Sequence, residues 1–245
     1  MAGRYGHDGH DGQGGQGGLR GRAADHENGL IPRHGGYRKL KSFQVAQLAY
    51  DVTVRFCDRY ISKRSRTHDQ MVQAARSGVQ NIAEGSKASG TSKKFELKLT
   101  NVARASLEEL RLDYEDFLRQ RSLALLAPDH PALVRFKKKR CTTLKEVQDW
   151  VVEEISYTDR HGQTRTGTDT NNGEGSVPVS DGLCKSLSSS TLVANGALSL
   201  LNLACYLLDR QLAAQARAFE EEGGFTERLY RRRVKARVKK WKSQT

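Results

Sequence analysis

The sequence predicts an all-α protein: a four-helix bundle with a long inserted segment between its third and fourth helices and a basic helix at the C-terminus. Three observations predict it. Apolar residues recur at helical spacing over four long stretches. No stretch alternates as a half-buried strand does, and glycines, prolines and capping residues punctuate the ends of the apolar stretches. Amphipathic helices without strand partners bury their stripes by packing on one another.

Residues 41–61 set Val45, Leu48, Ala49, Val52 and Phe56 on one row, and Phe43, Ala46, Tyr50, Val54, Cys57 and Ile61 on a second. Thr67-His68-Asp69-Gln70 has the form of a capping box, in which hydroxyl and amide side chains satisfy the free amides of a helix start. The second helix runs from there to about Glu84 on Met71, Ala74, Ala75, Gly78, Val79 and Ile82. Gly85 suits the left-handed residue that ends a helix. After a turn over residues 86–92, a third helix carries Phe95, Leu99, Val102, Ala103, Ser106, Leu107, Leu110, Tyr114 and Phe117 on one face, and Pro128 and Pro131 close it.

Residues 121–186 form the insertion. Within it, residues 135–140 are a basic knot introducing a short amphipathic helix on Leu144, Val147, Val151 and Ile155. Residues 157–186 hold almost no large aliphatics and read as a flexible loop. The fourth long helix starts near Ser189 and carries Val193, Ala197, Leu200, Leu201, Ala204, Leu207, Leu208 and Leu212 as far as Gly223 and Gly224. The bundle thus covers residues 37–222 and the basic suffix helix residues 223–245. Residues 1–36 hold 12 of the 23 glycines; too poor in large apolar groups to offset chain entropy, they read as a disordered tail.

The formal net charge is +13 with pI near 9.7, which points to a polyanionic partner, nucleic acid first. The charge is local: residues 225–245 hold nine Lys/Arg against the single acid Glu227. The expected nucleic-acid-binding residues are Arg228, Tyr230, Arg231, Arg232, Arg233, Lys235, Arg237, Lys239, Lys240 and Trp241. Guanidinium and ammonium groups neutralise phosphates, while the rings of Tyr230, Trp241 and Phe225 stack on bases. Residues 135–140 and Lys93, Lys94 and Lys98 are the next most basic places. An alternative use of the suffix is docking on an acidic protein partner.

Catalysis and metal binding find no support. Glu108 and Glu109 lack the Glu-x-x-His pairs of carboxylate-bridged metal bundles, and the histidines lack ligand spacing. Ser189 and Ser190 have no His and acid companions at recognisable spacing. Asn81 and Glu84 near a helix end read as structural. No catalytic residue, cofactor or metal is therefore expected. Cys57, Cys141, Cys184 and Cys205 form no close pair, which suits a reducing cytoplasm. No apolar run is read as reaching the ~20 residues of a membrane span, and the N-terminus is too hydrophilic for a signal peptide.

Arg76-Ser77-Gly78-Val79-Gln80-Asn81-Ile82-Ala83-Glu84-Gly85 resembles the signature of the four-helix-bundle family named for proteins encoded in ribosomal RNA intervening sequences, and Ser106-Leu107-Glu108-Glu109-Leu110 is similar to its third-helix motif. Leu207-Leu208-Asp209-Arg210-Gln211-Leu212 and the stretch from Phe219 to Arg231 resemble the suffix segment that follows the bundle in some members. The resemblance implies an antiparallel up-down bundle without catalytic residues, assembled as a homo-oligomer of ring form, a pentamer in related members. In one branch, the accessory protein of diversity-generating retroelements, it also implies binding to nucleic acid and a reverse transcriptase. The two apolar rows of the first helix, where a monomeric bundle needs one, agree with an oligomer.

Overall fold

The computed structural model describes residues 34–163 and 187–243, and every regular element among them is helical. A short 3-10 turn, Tyr37–Lys39, leads into α1 (Lys41–Tyr60), followed by α2 (Arg66–Ala88) and α3 (Lys93–Gln120). Then come α4 (Pro131–Lys139), α5 (Leu144–Gln163), α6 (Ser189–Glu222) and α7 (Phe225–Lys242). The parts of the expected tail and loop at residues 1–33 and 164–186 lie outside the described residues, as does Cys184.

Helix α2 packs on α1 and α3, and α6 packs on the other sides of α1 and α3. Their directions follow from the paired residues. The start of α1 meets the late part of α6 through Ser42 and Gln211 at 2.9 Å, and its end meets the start of α6 through Tyr60 and Ser189 at 2.9 Å. The start of α3 meets α6 where Gln215 donates to Glu96 at 3.0 Å, while the connection after α3 meets the start of α6 through Asn195 and Leu126 at 2.8 Å. Between these four helices the core is filled by Phe56, Met71, Ile82, Leu107, Tyr114 and Leu201, all buried. The buried Tyr114 hydroxyl donates to Thr53, which donates in turn to the Ala49 carbonyl. Burial raises the Tyr114 phenol well above its usual range.

Both apolar rows of α1 meet other elements of the same chain, with Phe43, Tyr50 and Val54 of the second row only half-buried. Val52 and Phe56 line a cavity with Leu144, Val147, Val151 and Ile155 of α5, while Cys57 of the second row meets Met71 of α2. The inserted segment thus faces the first row, at Val52 and Phe56.

Several local expectations are corrected. Ser65, not Thr67, caps α2, accepting the Thr67 amide at 3.3 Å. Gly85 does not end α2; it lies buried within it, and a Cβ there would sit 3.3 Å from the Glu96 carbonyl oxygen, so its small size lets α3 approach. That approach shifts the inward face of α3: Glu96 and Thr100 are buried, whereas Phe95 and Val102 are exposed. Helix α3 ends at Gln120, well before the prolines, and Pro131 instead opens α4 at the favoured first-turn position.

Residues 135–139, read as a basic knot, are part of a helix of their own, α4, and two of their four charges are taken up by α5. Arg135 forms a two-pronged pair with the buried Glu154 at 2.7 and 2.6 Å, and Lys139 meets Glu153 at 2.7 Å. Helix α5 continues through Tyr157 to Gln163, where a loop was expected. Its Trp150 is fully buried against Phe136, ring centroids 4.5 Å apart. The tail boundary also moves, because the Gly35 amide donates to the Ser86 carbonyl at 3.0 Å.

Residues 189–242 include an 18-residue window of mean hydropathy 1.6, apolar enough by composition to cross a membrane, against the expectation that no run is. Here 67% of that window is buried inside the protein, as the α6 face that meets α1, α3, α4 and α5.

Candidate nucleic-acid interface

Helix α7 differs in kind from the others, because none of its residues is buried. The chain turns into it at Gly223, whose φ of +72° is open to glycine at little cost. The Gly223 amide closes α6 by donating to Phe219, and Gly224 caps α7. Eighteen residues at ~1.5 Å rise give α7 a length of about 27 Å.

Of the expected binding residues, Arg231, Arg232, Arg233, Lys235, Arg237, Lys239 and Lys240 are exposed along this helix, as are Tyr230 and Trp241. Arg228 is placed differently. It is half-buried at the root of α7, one Nη donates to the Gly90 carbonyl at 3.5 Å, and its buried Nε–H has no acceptor among the described residues. Arg228 therefore holds α7 against the α2–α3 turn. Phe225, expected as a stacking ring, also sits half-buried at this root.

Val234 and Val238, exposed by 39% and 48%, were missed by the sequence reading, yet they complete one stripe with Tyr230 at 70% and Trp241 at 66%. Spacings of four, four and three residues keep all four side chains on one side of a helix. The signal was present in the spacing but hidden by the density of lysine and arginine. Arg233 and Arg237 flank one side of the stripe, Arg231 and Lys242 the other. Flat apolar rings between two rows of cations match a strand whose bases stack inward and whose phosphates run along the edges.

The remaining polar positions are structural in their contacts. Asn81 donates to the Ser77 carbonyl at 2.9 Å, and the Ser77 hydroxyl meets that of Ser106 at 2.9 Å. The two motifs quoted above thus pack face to face on α2 and α3. Glu108 binds Arg111 and lies 3.6 Å from Arg104; the hydrogen bond from Arg111 holds its carboxyl below the usual range. His130 caps α4, and Ser189 accepts from Tyr60. Cys57 is buried and its thiol is pushed up to about 12, chiefly by desolvation. Among the described residues, no group of three His, Cys, Asp or Glu side chains is placed to hold a metal ion.

A cavity of about 790 Å³ runs between α4, α6 and the start of α1, lined by Leu133, Phe136, Leu198, Leu203 and Leu207. Leu125, Leu203 and Tyr206 stand exposed by 63%, 44% and 56%. Comparison with protein-family models, with curated proteins and with solved structures returns no match for this chain.

Proposed function

We propose that this chain is a non-enzymatic nucleic-acid-binding protein: an antiparallel up-down four-helix bundle made of α1, α2, α3 and α6, interrupted by an insertion and carrying α7 as its binding element. The observation that carries the reading is α7 itself, a helix with no buried residue, exposed from Tyr230 onward. Arg231, Arg233, Lys235, Arg237, Lys239, Lys240 and Lys242 have no ion-pair partner among the described residues. So dense a run of like charges repels itself, and phosphates relieve that repulsion. Phosphate contacts supply the affinity, with little base reading. RNA and DNA are both accommodated.

A relationship to the ribosomal RNA intervening-sequence family is part of the proposal, supported by the two motifs and by the suffix resemblance. So is a cytoplasmic setting, supported by the buried free thiols of Cys57 and Cys205. The test is anisotropy of a fluorescein-labelled 30-nucleotide single strand titrated with the full chain. Binding at micromolar protein or below, reversed by heparin with the helical circular dichroism intact, is expected. No binding at 50 mM salt would overturn the proposal. The docking of α7 on an acidic protein would then be the reading to pursue.

Homo-oligomer assembly is also proposed. The second row of α1 is covered only in part within the chain, with Phe43, Tyr50 and Val54 half-buried, and further support lies in the exposed Leu125, Leu203 and Tyr206 beside the α4–α6 cavity. Light scattering across a dilution series should return a mass above 27.3 kDa. A monomer mass throughout would remove this part of the proposal.

A further inference from the structure

Helix α7 does not leave the protein at a neutral place. Its root meets the turn between α2 and α3 through Arg228 and the Gly90 carbonyl, 3.5 Å apart. The late part of α6, from which it departs, is pinned to the first turn of α3 by Gln215 and Glu96 at 3.0 Å. The segment before α1 is tied to the same end by the Gly35 amide on the Ser86 carbonyl at 3.0 Å. There the Tyr37 ring takes Arg38 at 5.4 Å and Lys87 at 5.7 Å. Three stretches far apart in sequence therefore bring their lysines and arginines to the end of the helical core where α7 begins.

Arg38, Lys39, Lys87, Lys94 and Lys98 are all exposed there, and none has a carboxylate partner among the described residues. The contrast within the molecule is direct. Lys93, beside them, is 3.6 Å from Glu96, and at the far end Arg119 and Lys63 pair with Asp116 and Asp58. Among the described residues, the exposed carboxylates at the α7 end, Glu84, Glu220 and Glu221, are fewer than its exposed cations even before α7 is counted.

We infer that the bound nucleic acid continues from α7 onto this end of the core, with Arg38, Lys39, Lys87, Lys94 and Lys98 as a second row of phosphate contacts. The inference rests on the nucleic-acid reading proposed above and extends it. An arm attached to a neutral body would hold a strand by one helix alone. Here Arg228 fixes the root of α7 against the core, so the two basic surfaces adjoin and one strand crosses from one to the other.

The test compares the full chain with a Lys87→Gln, Lys94→Gln, Lys98→Gln triple variant, using the same labelled 30-nucleotide strand over a salt series. Three lost phosphate contacts should flatten the slope of log affinity against log salt by about two to three units, and lower affinity at 0.1 M salt about a hundredfold. Lys94 and Lys98 are exposed and Lys87 gives up only its 5.7 Å approach to the Tyr37 ring, so the melting temperature should change little. Replacing the same lysines with arginine should preserve the slope. An unchanged slope and affinity in the glutamine variant, with α7 still required, would overturn this inference and leave the nucleic-acid reading standing. Absence of binding by the unaltered chain would overturn both.

Discussion

Deletion of residues 225–245 should remove most nucleic-acid binding and leave the rest of the protein helical. Helix α7 contributes no buried residue to the core and begins beyond the Gly223–Gly224 break. What its loss withdraws from the body is the half-burial of Phe225 and Leu229 and the Arg228 contact with Gly90, a bond at the long end of the hydrogen-bonding range worth ~1 kcal/mol. What its loss withdraws from binding is nine cations against one carboxylate. If about five of them neutralise phosphates, the slope of log affinity against log salt for α7 alone is about −3.5 on single strands and −4.5 on duplex. Changing Arg231, Arg233 and Arg237 to glutamine should flatten that slope by about two to three units. Changing Tyr230 and Trp241 to alanine should weaken binding by ~1 to 3 kcal/mol per base with the slope preserved, because stacking releases no counterions. Circular dichroism of the truncated chain supplies the control for folding. Full-strength, equally salt-sensitive binding by that chain would place the interface elsewhere.

The helical class was legible because each long helix carries an unbroken apolar stripe. Met71, Ala74, Ala75, Gly78, Val79 and Ile82 were expected inward and are all buried. What the stripe does not encode is how closely two helices approach. Gly85 looked like a terminator because glycine ends many helices; only the position of the Glu96 carbonyl reveals it as a point of contact. The same approach buried Glu96 and Thr100 and left Phe95 and Val102 outside, a shift invisible to the spacing of apolar residues.

The insertion was least legible, since its polar residues are spent on one another. Arg135 and Glu154 lie nineteen positions apart, and nothing local links them, yet their pair makes a basic knot into part of the core's edge. At the candidate interface, sequence identified the charge of α7 but not its sidedness. The grouping of Lys87, Lys94 and Arg38 at its root likewise depends on tertiary contacts from three separate segments.

Replacing Gly78 with leucine should prevent folding, the largest stability effect expected of any single change. Glycine inside a helix ordinarily costs ~1 kcal/mol relative to alanine, so at an open site a larger residue would be an improvement. Gly78 is not open. A Cβ there would lie 2.8 Å from Cγ of Leu107, closer still to its Cδ2, and Leu107 is fully buried. Alanine must push Leu107 off its rotamer, an overpacking cost of about 1 to 3 kcal/mol that offsets or exceeds the propensity gain. Leucine adds three more carbons, and α2 must lift from α3 to admit them. That separation breaks the Ser77–Ser106 contact and uncovers Met71, Ile82 and Leu110, a loss on the order of the 5 to 15 kcal/mol that keeps a domain folded. Thermal denaturation followed by circular dichroism measures both variants. The double variant Gly78→Ala with Leu107→Ala isolates the cause. Leu107→Ala alone should cost about 2 to 5 kcal/mol as a cavity, and the added methyl group should refill part of that space, so the pair should be less destabilised than the sum of the two by about 0.5 to 3 kcal/mol. A Gly78→Ala protein melting higher than the parent, with effects that simply add, would show that α2 and α3 do not meet as closely as these distances require.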